Sequence, residues 1–122
     1  MKNRVMLDGD ALTSIFCNIK FCQGVKSTRI PMQMQTNSGN ILASKSYRIP
    51  KLGEAYFNKK GMTNIIGLSQ MRRRYQVTYN SEKEPTFFIY MDEKIVKFPE
   101  INDGLYAPNM EGNKHYKKRK IW

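Results

Sequence analysis

Short apolar runs, each halted by a cluster of Gly, Asn, Asp or Pro, recur about every 8–12 residues along this chain. That punctuation leaves little room for helices of ordinary length and favours strands joined by tight turns. The residues inside the runs agree. Ile occurs 11 times and Ala only 4, and with Val, Thr, Phe and Tyr the apolar inventory is β-branched and aromatic, not the Ala/Leu mix that favours helices. The spacing predicts an all-β (mainly β) fold of the barrel or sandwich kind. At 122 residues the chain has the size of one domain, placed here over 1–108 and followed by a basic, disordered tail over 109–122.

Arg4-Val5-Met6-Leu7 is a first run, stopped by the turn-forming Asp8-Gly9-Asp10, after which Leu12, Ile15 and Phe16 resume. Ile30, Met32 and Met34 alternate as in a half-buried strand and end at Thr36-Asn37-Ser38-Gly39-Asn40, a hairpin-turn signal. Ile41-Leu42-Ala43 leads a return strand toward Tyr47 and Ile49. Further strands are expected around 54–57, 77–79, 86–90, 95–98 and 104–106. One segment departs from this period: Leu68, Met71 and Tyr75 fall at i, i+3 and i+7 after Asn64-Ile65-Ile66-Gly67, which predicts a strand feeding one short helix. Met6, Met32, Met34, Met62 and Met71 read as core filler.

Lys and Arg number 21 against 10 Asp and Glu, a net charge of +11. A polyanionic partner fits that balance. The C-terminal run Lys117-Lys118-Arg119-Lys120 reads as a solvated end, and Arg72-Arg73-Arg74 as either the solvated face of the short helix or a phosphate-binding surface with Tyr75, Tyr79 or Tyr90 stacking on bases. No apolar run approaches the roughly 20 residues of a membrane helix, so no membrane partner is expected and the protein is placed inside the cell, in the cytoplasm. Cys17 and Cys22 are expected as reduced thiols. No metal and no cofactor is expected: His115 is the sole histidine, and the glycines do not cluster as a phosphate loop would need.

Asp8 is the chemical candidate. A carboxylate at the end of an apolar strand and the start of a Gly-containing turn has low dielectric on one side and backbone N–H groups on the other, which tunes its ionisation. An aspartic protease needs two such carboxylates sharing a proton across one water. This chain supplies one, so catalysis would require a symmetric homodimer.

Met6-Leu7-Asp8, the Asn37 to Asn40 hairpin, Asn64-Ile65-Ile66-Gly67-Leu68 and the late Gly104-Leu105-Tyr106 occur in the order found in the protease segment of copia-type retrotransposon Gag-Pol polyproteins, which the chain resembles from about residue 4 to residue 107. The resemblance implies a retropepsin-like, closed or nearly closed small β-barrel with one short helix. It also implies an aspartic endopeptidase acting on a polyprotein or peptide substrate, in the cytoplasm or within virus-like particles. Asp8 would be catalytic, with Gly9, Asp10 and Ala11 forming the active-site loop. Ile65, Ile66 and Gly67 would support that loop, and Asn37, Ser38, Gly39 and Asn40 would form the tip of a substrate-covering flap.

Two departures fall on the chemistry. The family places Ser or Thr after the catalytic Asp, whose hydroxyl braces the two loops across the dimer, and this chain has Gly9. The next family position is Gly, where this chain has Asp10, so a dimer would crowd four carboxylates around one dyad and raise some of their pKa values. The alternative is therefore a catalytically inactive barrel that binds a protein partner or nucleic acid.

Overall fold

The computed structural model describes residues 3–36, 39–102 and 104–108; along 25–32 and 34–44 and at 102 it describes the backbone alone. The elements are β1 (Val5–Asp8), β2 (Ile15–Phe16), a 3-10 turn (Ile19–Phe21), β3 (Gln23–Thr36), β4 (Gly39–Ile49) and β5 (Gly53–Phe57). They continue with β6 (Asn64–Gly67), α1 (Leu68–Arg74), β7 (Gln76–Asn80), β8 (Glu84–Met91), β9 (Lys94–Asn102) and β10 (Leu105–Tyr106). The chain is mainly β, with one short helix where the i, i+3, i+7 stripe places it: Met71 is fully buried, and Leu68 and Tyr75 pack against the core. Of the five methionines expected as core filler, Met6 and Met71 are buried, but Met62 is 62% exposed in the turn before β6. The side chains of Met32 and Met34 lie outside the described residues.

All ten strands belong to one sheet in the order β3-β4-β5-β2-β6-β1-β10-β9-β8-β7. Most neighbours are antiparallel hairpins, as turn spacing predicts. The exceptions build the centre. β1 runs parallel to β6, with Leu7 opposite Ile66 and Asp8 opposite Gly67, and β2 runs parallel to β5. Parallel neighbours need a crossover connection, and here the segment from β2 to β5 supplies it for β1 and β6.

The expected barrel closure is not made by hydrogen-bonded strands. The ladder ends at β3 on one side and β7 on the other, and these two edges do not pair among the described residues. Side chains join the halves instead. Ile49 and Ala55 from β4 and β5 share one apolar cluster with Ile89 and Met91 from β8 and Phe98 from β9. The turn between β4 and β5 also reaches the far half of the sheet: Tyr75 donates to the Lys51 carbonyl at 2.5 Å, and Lys51 faces Asp92 at 4.0 Å. Gly53 leaves that turn at φ 111°, a conformation open to glycine and costly for other residues.

Asn64 pins the centre through hydrogen bonds. Its side chain has no exposure, its Oδ1 accepts from the Cys17 and Asn18 amides at 2.9 and 3.1 Å, and its Nδ2 donates to the Arg4 carbonyl at 2.8 Å. One side chain thus ties the starts of β1 and β6 to the end of β2. Cys17 and Cys22 are not joined in a disulfide. Burial, and secondarily the neighbouring Cys17, pushes the Cys22 thiol above its ordinary pKa, which keeps it protonated and a poor nucleophile. No helix of the described residues is long and apolar enough to cross a membrane.

Candidate active site

Asp8 closes β1 with its backbone between two strands, opposite Gly67 of β6 and Leu105 of β10. The chain then turns sharply. The Asp10 amide donates to Asp8 Oδ1 at 3.0 Å and the Ala11 amide to the Asp8 carbonyl at 3.3 Å, so the carboxylate itself shapes the loop. The Gly9 amide donates to the Gly104 carbonyl at 3.4 Å, and Gly104 sits at φ 76°. Asp8, Gly9 and Ala11 are half-buried, whereas Asp10 is exposed.

The loop rests on Gly67. A Cβ built there would lie 2.7 Å from the Thr13 carbonyl oxygen and 2.9 Å from that of Ala11, both backbone atoms that cannot rotate away. Glycine is needed for this approach, because the residue's own φ of −76° suits any side chain. Ile66 stands beneath as core with no exposure, and Ile65 faces the other way, opposite Met6 and Ile15. Gly67 therefore lies against the Asp8 loop with Ile66 in the core beside it, while Ile65 is turned away.

A second support was not legible in the sequence. Ser14 is fully buried; its hydroxyl accepts from the Gly67 amide at 2.9 Å and donates to Gln70 Oε1 at 2.8 Å. Gln70 Nε2 in turn donates to the Glu54 carbonyl at 2.6 Å. This relay fastens the end of the loop to α1 and β5 within one chain. Ser14 and Gln70 are 56 residues apart, and neither stands in a recognisable motif.

The flap candidate is described in part. Asn37 and Ser38 lie outside the described residues, while Gly39 and Asn40 open β4 and pair with Thr36 and Gln35 of β3. β5 reaches β4 only from Ser46 to Ile49, so the outer section of this hairpin has β3 and β4 alone. The basic tail over 109–122, with His115, also lies outside the described residues. Among the described residues no group of three His, Cys, Asp or Glu could hold a metal ion.

Neither of two open depressions among the described residues is lined by Asp8. One, of about 440 Å³, is lined by Cys17, Asn18, Ile19, Phe57 and Lys59. The other, of about 260 Å³, lies between β4, β5 and α1, where Arg73 and Gln70 face Ser46 and Tyr56. Arg72, Arg73 and Arg74 are all exposed, as a solvated helix face would be, but they diverge. Arg74 lies 5.9 Å from the Tyr75 ring centre, and Arg73 lines that second depression. Behind β10, the Tyr106 phenol donates to Tyr79 at 3.5 Å; that bond, then burial and the nearby Glu100, hold it well above the ordinary phenol range.

No protein-family model, no curated protein and no solved structure matches the chain.

Proposed function

We propose that this chain is a retropepsin-like aspartic endopeptidase domain of the copia-type retrotransposon kind, a nearly closed barrel that processes a polyprotein as a homodimer in the cytoplasm or in virus-like particles. The observation that carries the reading is the Asp8 loop seated on Gly67, with Asp8 at the end of the central strand and Ile66 in the core below. Asp8 of each subunit would hold the attacking water, one carboxylate taking its proton while the protonated partner polarises the scissile carbonyl. Gly9 and Asp10 would shape the loop, and the hairpin carrying Asn37, Ser38, Gly39 and Asn40 would exclude water from the bound peptide. No cofactor is required.

The test is sedimentation of the purified chain beside cleavage of a mixed peptide library across about pH 3–7, where carboxylates change charge. A dimer that cleaves with an acidic optimum is expected, and Asp8→Asn should lower the rate about a thousandfold. A monomer that cleaves nothing in that range sinks the reading.

A second reading, an inactive barrel of the same origin that binds a partner, is favoured by one observation: Gly9 offers no hydroxyl to brace a dimer, while Ser14 and Gln70 brace the loop from within. Gly9→Ser separates the two. No atom lies within 4 Å of a Cβ at this position, so the hydroxyl enters without a clash. Under the protease reading the variant should shift sedimentation toward dimer and raise the cleavage rate above that of the parent chain; an unchanged monomer without activity supports the inactive barrel.

A further inference from the structure

The central strands carry their charge unevenly from one end to the other. β1 and β6 start at one end and β2 and β5 finish there, because β1 is parallel to β6, β2 is parallel to β5 and β2 is antiparallel to β6. The Asp8 loop lies at the opposite end, and so does Glu54 at the start of β5. Asp8, Asp10 and Glu54 are the only carboxylates before Glu82 in the sequence, so none of them stands where β1 starts. Arg4, Lys20, Lys59 and Lys60 are there, all exposed. The carboxylates that follow on this side of the far half, Glu84 and Glu100, belong to β8 and β9, beyond β10. β10, antiparallel to β1, finishes at this end too, and residues 109–122, with five cations and Glu111, follow it in the sequence.

Two aliphatic side chains stand among these cations. Ile19, in the 3-10 turn after β2, is 55% exposed, and Met62, in the turn from β5 to β6, is 62% exposed. The turns are built firmly: the Lys20 amide donates to Asn18 Oδ1 at 3.1 Å, the Lys60 amide to Asn58 Oδ1 at 3.2 Å and the Thr63 hydroxyl to the Arg4 carbonyl at 3.1 Å. They also lie side by side, since a Cβ at Gly61 would be 3.0 Å from Cys17 Cβ. Ile19, Phe57 and Lys59 line the open depression of about 440 Å³ between them. The rings at this end, Phe21 and Phe57, are half-buried and set against Phe16 and Tyr47.

We propose that this end docks on an anionic lipid surface, with Ile19 and Met62 entering the boundary of the acyl chains and the four cations meeting the headgroup charges. The proposal goes beyond the protease reading and does not depend on Asp8, which closes the other end of β1. The sequence excludes a membrane partner only through the length a spanning helix needs; lying on the surface takes exposed apolar side chains flanked by cations. Lysine suits that boundary, because its stem rests among apolar groups while the ammonium stays in water. The cytoplasmic leaflet supplies the negative charge. Nucleic acid is the weaker occupant: it would engage the cations but leave Ile19 and Met62 in water, and no exposed ring among the described residues at this end offers a base a face to stack on. A second copy of the chain would set like charges against each other.

Co-sedimentation of the full chain with vesicles tests this, comparing phosphatidylcholine that holds about one third phosphatidylserine with phosphatidylcholine alone, and fluorescence anisotropy on a labelled oligouridine runs beside it. The chain should bind the mixed vesicles and not the neutral ones, with the bound fraction falling as salt rises. Lys60→Gln should weaken binding about fivefold, while Arg72→Gln, the same change of charge on α1 at the Asp8 end, should stay within about twofold of the parent. Ile19→Ser and Met62→Ser should each weaken it about fivefold or more. Asp8→Asn should bind as the parent chain does, which separates this result from the fate of the protease reading. The proposal is overturned if mixed vesicles hold no more chain than neutral ones, or if Lys60→Gln and Ile19→Ser both stay within about twofold of the parent, which would leave the attraction to net charge alone. It is overturned equally if oligouridine binding depends on Lys60 and vesicle binding does not, which would give this end to nucleic acid. Unfolding midpoints equal to the parent's check that the Ile19 and Met62 variants fold.

Discussion

Asn64→Leu is expected to remove about 3 kcal/mol of stability, read as a lower urea midpoint with an unchanged slope. Leucine nearly matches asparagine in shape, so the cost is polar. The Cys17 and Asn18 amides lose the Oδ1 that accepts from both, and orphaning a buried donor costs about 1–3 kcal/mol. The Arg4 carbonyl loses the Nδ2 donor but keeps the Asn64 amide and the Thr63 hydroxyl, each at 3.1 Å, so it adds little. Against a total of about 5–15 kcal/mol for a domain of this size, the loss is a large fraction. Because Asn64 spans β1, β2 and β6, the variant should lose its protection from hydrogen exchange first in these central strands. A change below about 0.5 kcal/mol would show that the two amides find other partners and that Asn64 is not the pin of the centre.

The strands that the sequence announced are those whose information is local. The turn after Asp8, the hairpin of β3 and β4 and the helix after Gly67 are each specified by a few adjacent residues, and each stands where the pattern puts it. The pairing order is a different kind of information. Nothing within Val5-Met6-Leu7-Asp8 states that its neighbours are β6 and β10 and not β2, because a parallel partner almost sixty residues away is selected by the packing of Leu7 on Ile66 and by the bonds of Asn64. Closure failed for the same reason. Regular strand spacing says that edges must be dealt with, but not whether backbone or side chains do it, and here the apolar cluster and the Lys51 turn join the halves while β3 and β7 have no further strand beside them among the described residues.

At the site, Asp8 was legible from a conformational signature, a carboxylate opening a glycine turn, whereas Gly67 was singled out only through the family resemblance. Ser14 and Gln70 were not legible. A serine in a polar-looking loop and a glutamine on a helix are common solvated residues, and only burial and a 2.8 Å contact reveal them as a brace. Their existence changes the meaning of Gly9. A loop held from inside the chain keeps the shape of the Asp8 turn without a hydroxyl from the partner, so the missing brace bears on dimerisation more than on the fold of the loop.

Gly67→Ala probes that support directly and should be the most damaging single methyl in the site, costing about 2–3 kcal/mol. The backbone angles at Gly67 suit alanine, and alanine would even reduce the entropy of the unfolded chain, so any loss arises from contact alone. The new Cβ would meet the carbonyl oxygens of Thr13 and Ala11 inside 3.0 Å, and relief requires the 11–13 loop to lift or β6 to slide against β1. Either movement strains the Gly67 amide's bond to Ser14 and shifts Asp8, which lies opposite Gly67 in the register. Gly9→Ala is the internal control: the same methyl, on the residue next to the same carboxylate, enters open space and should stay within about 0.5 kcal/mol of the parent. Paired urea titrations decide the matter. Equal midpoints for the two variants would mean that the loop floats free of Gly67, and the support on which the protease reading rests would be lost with it.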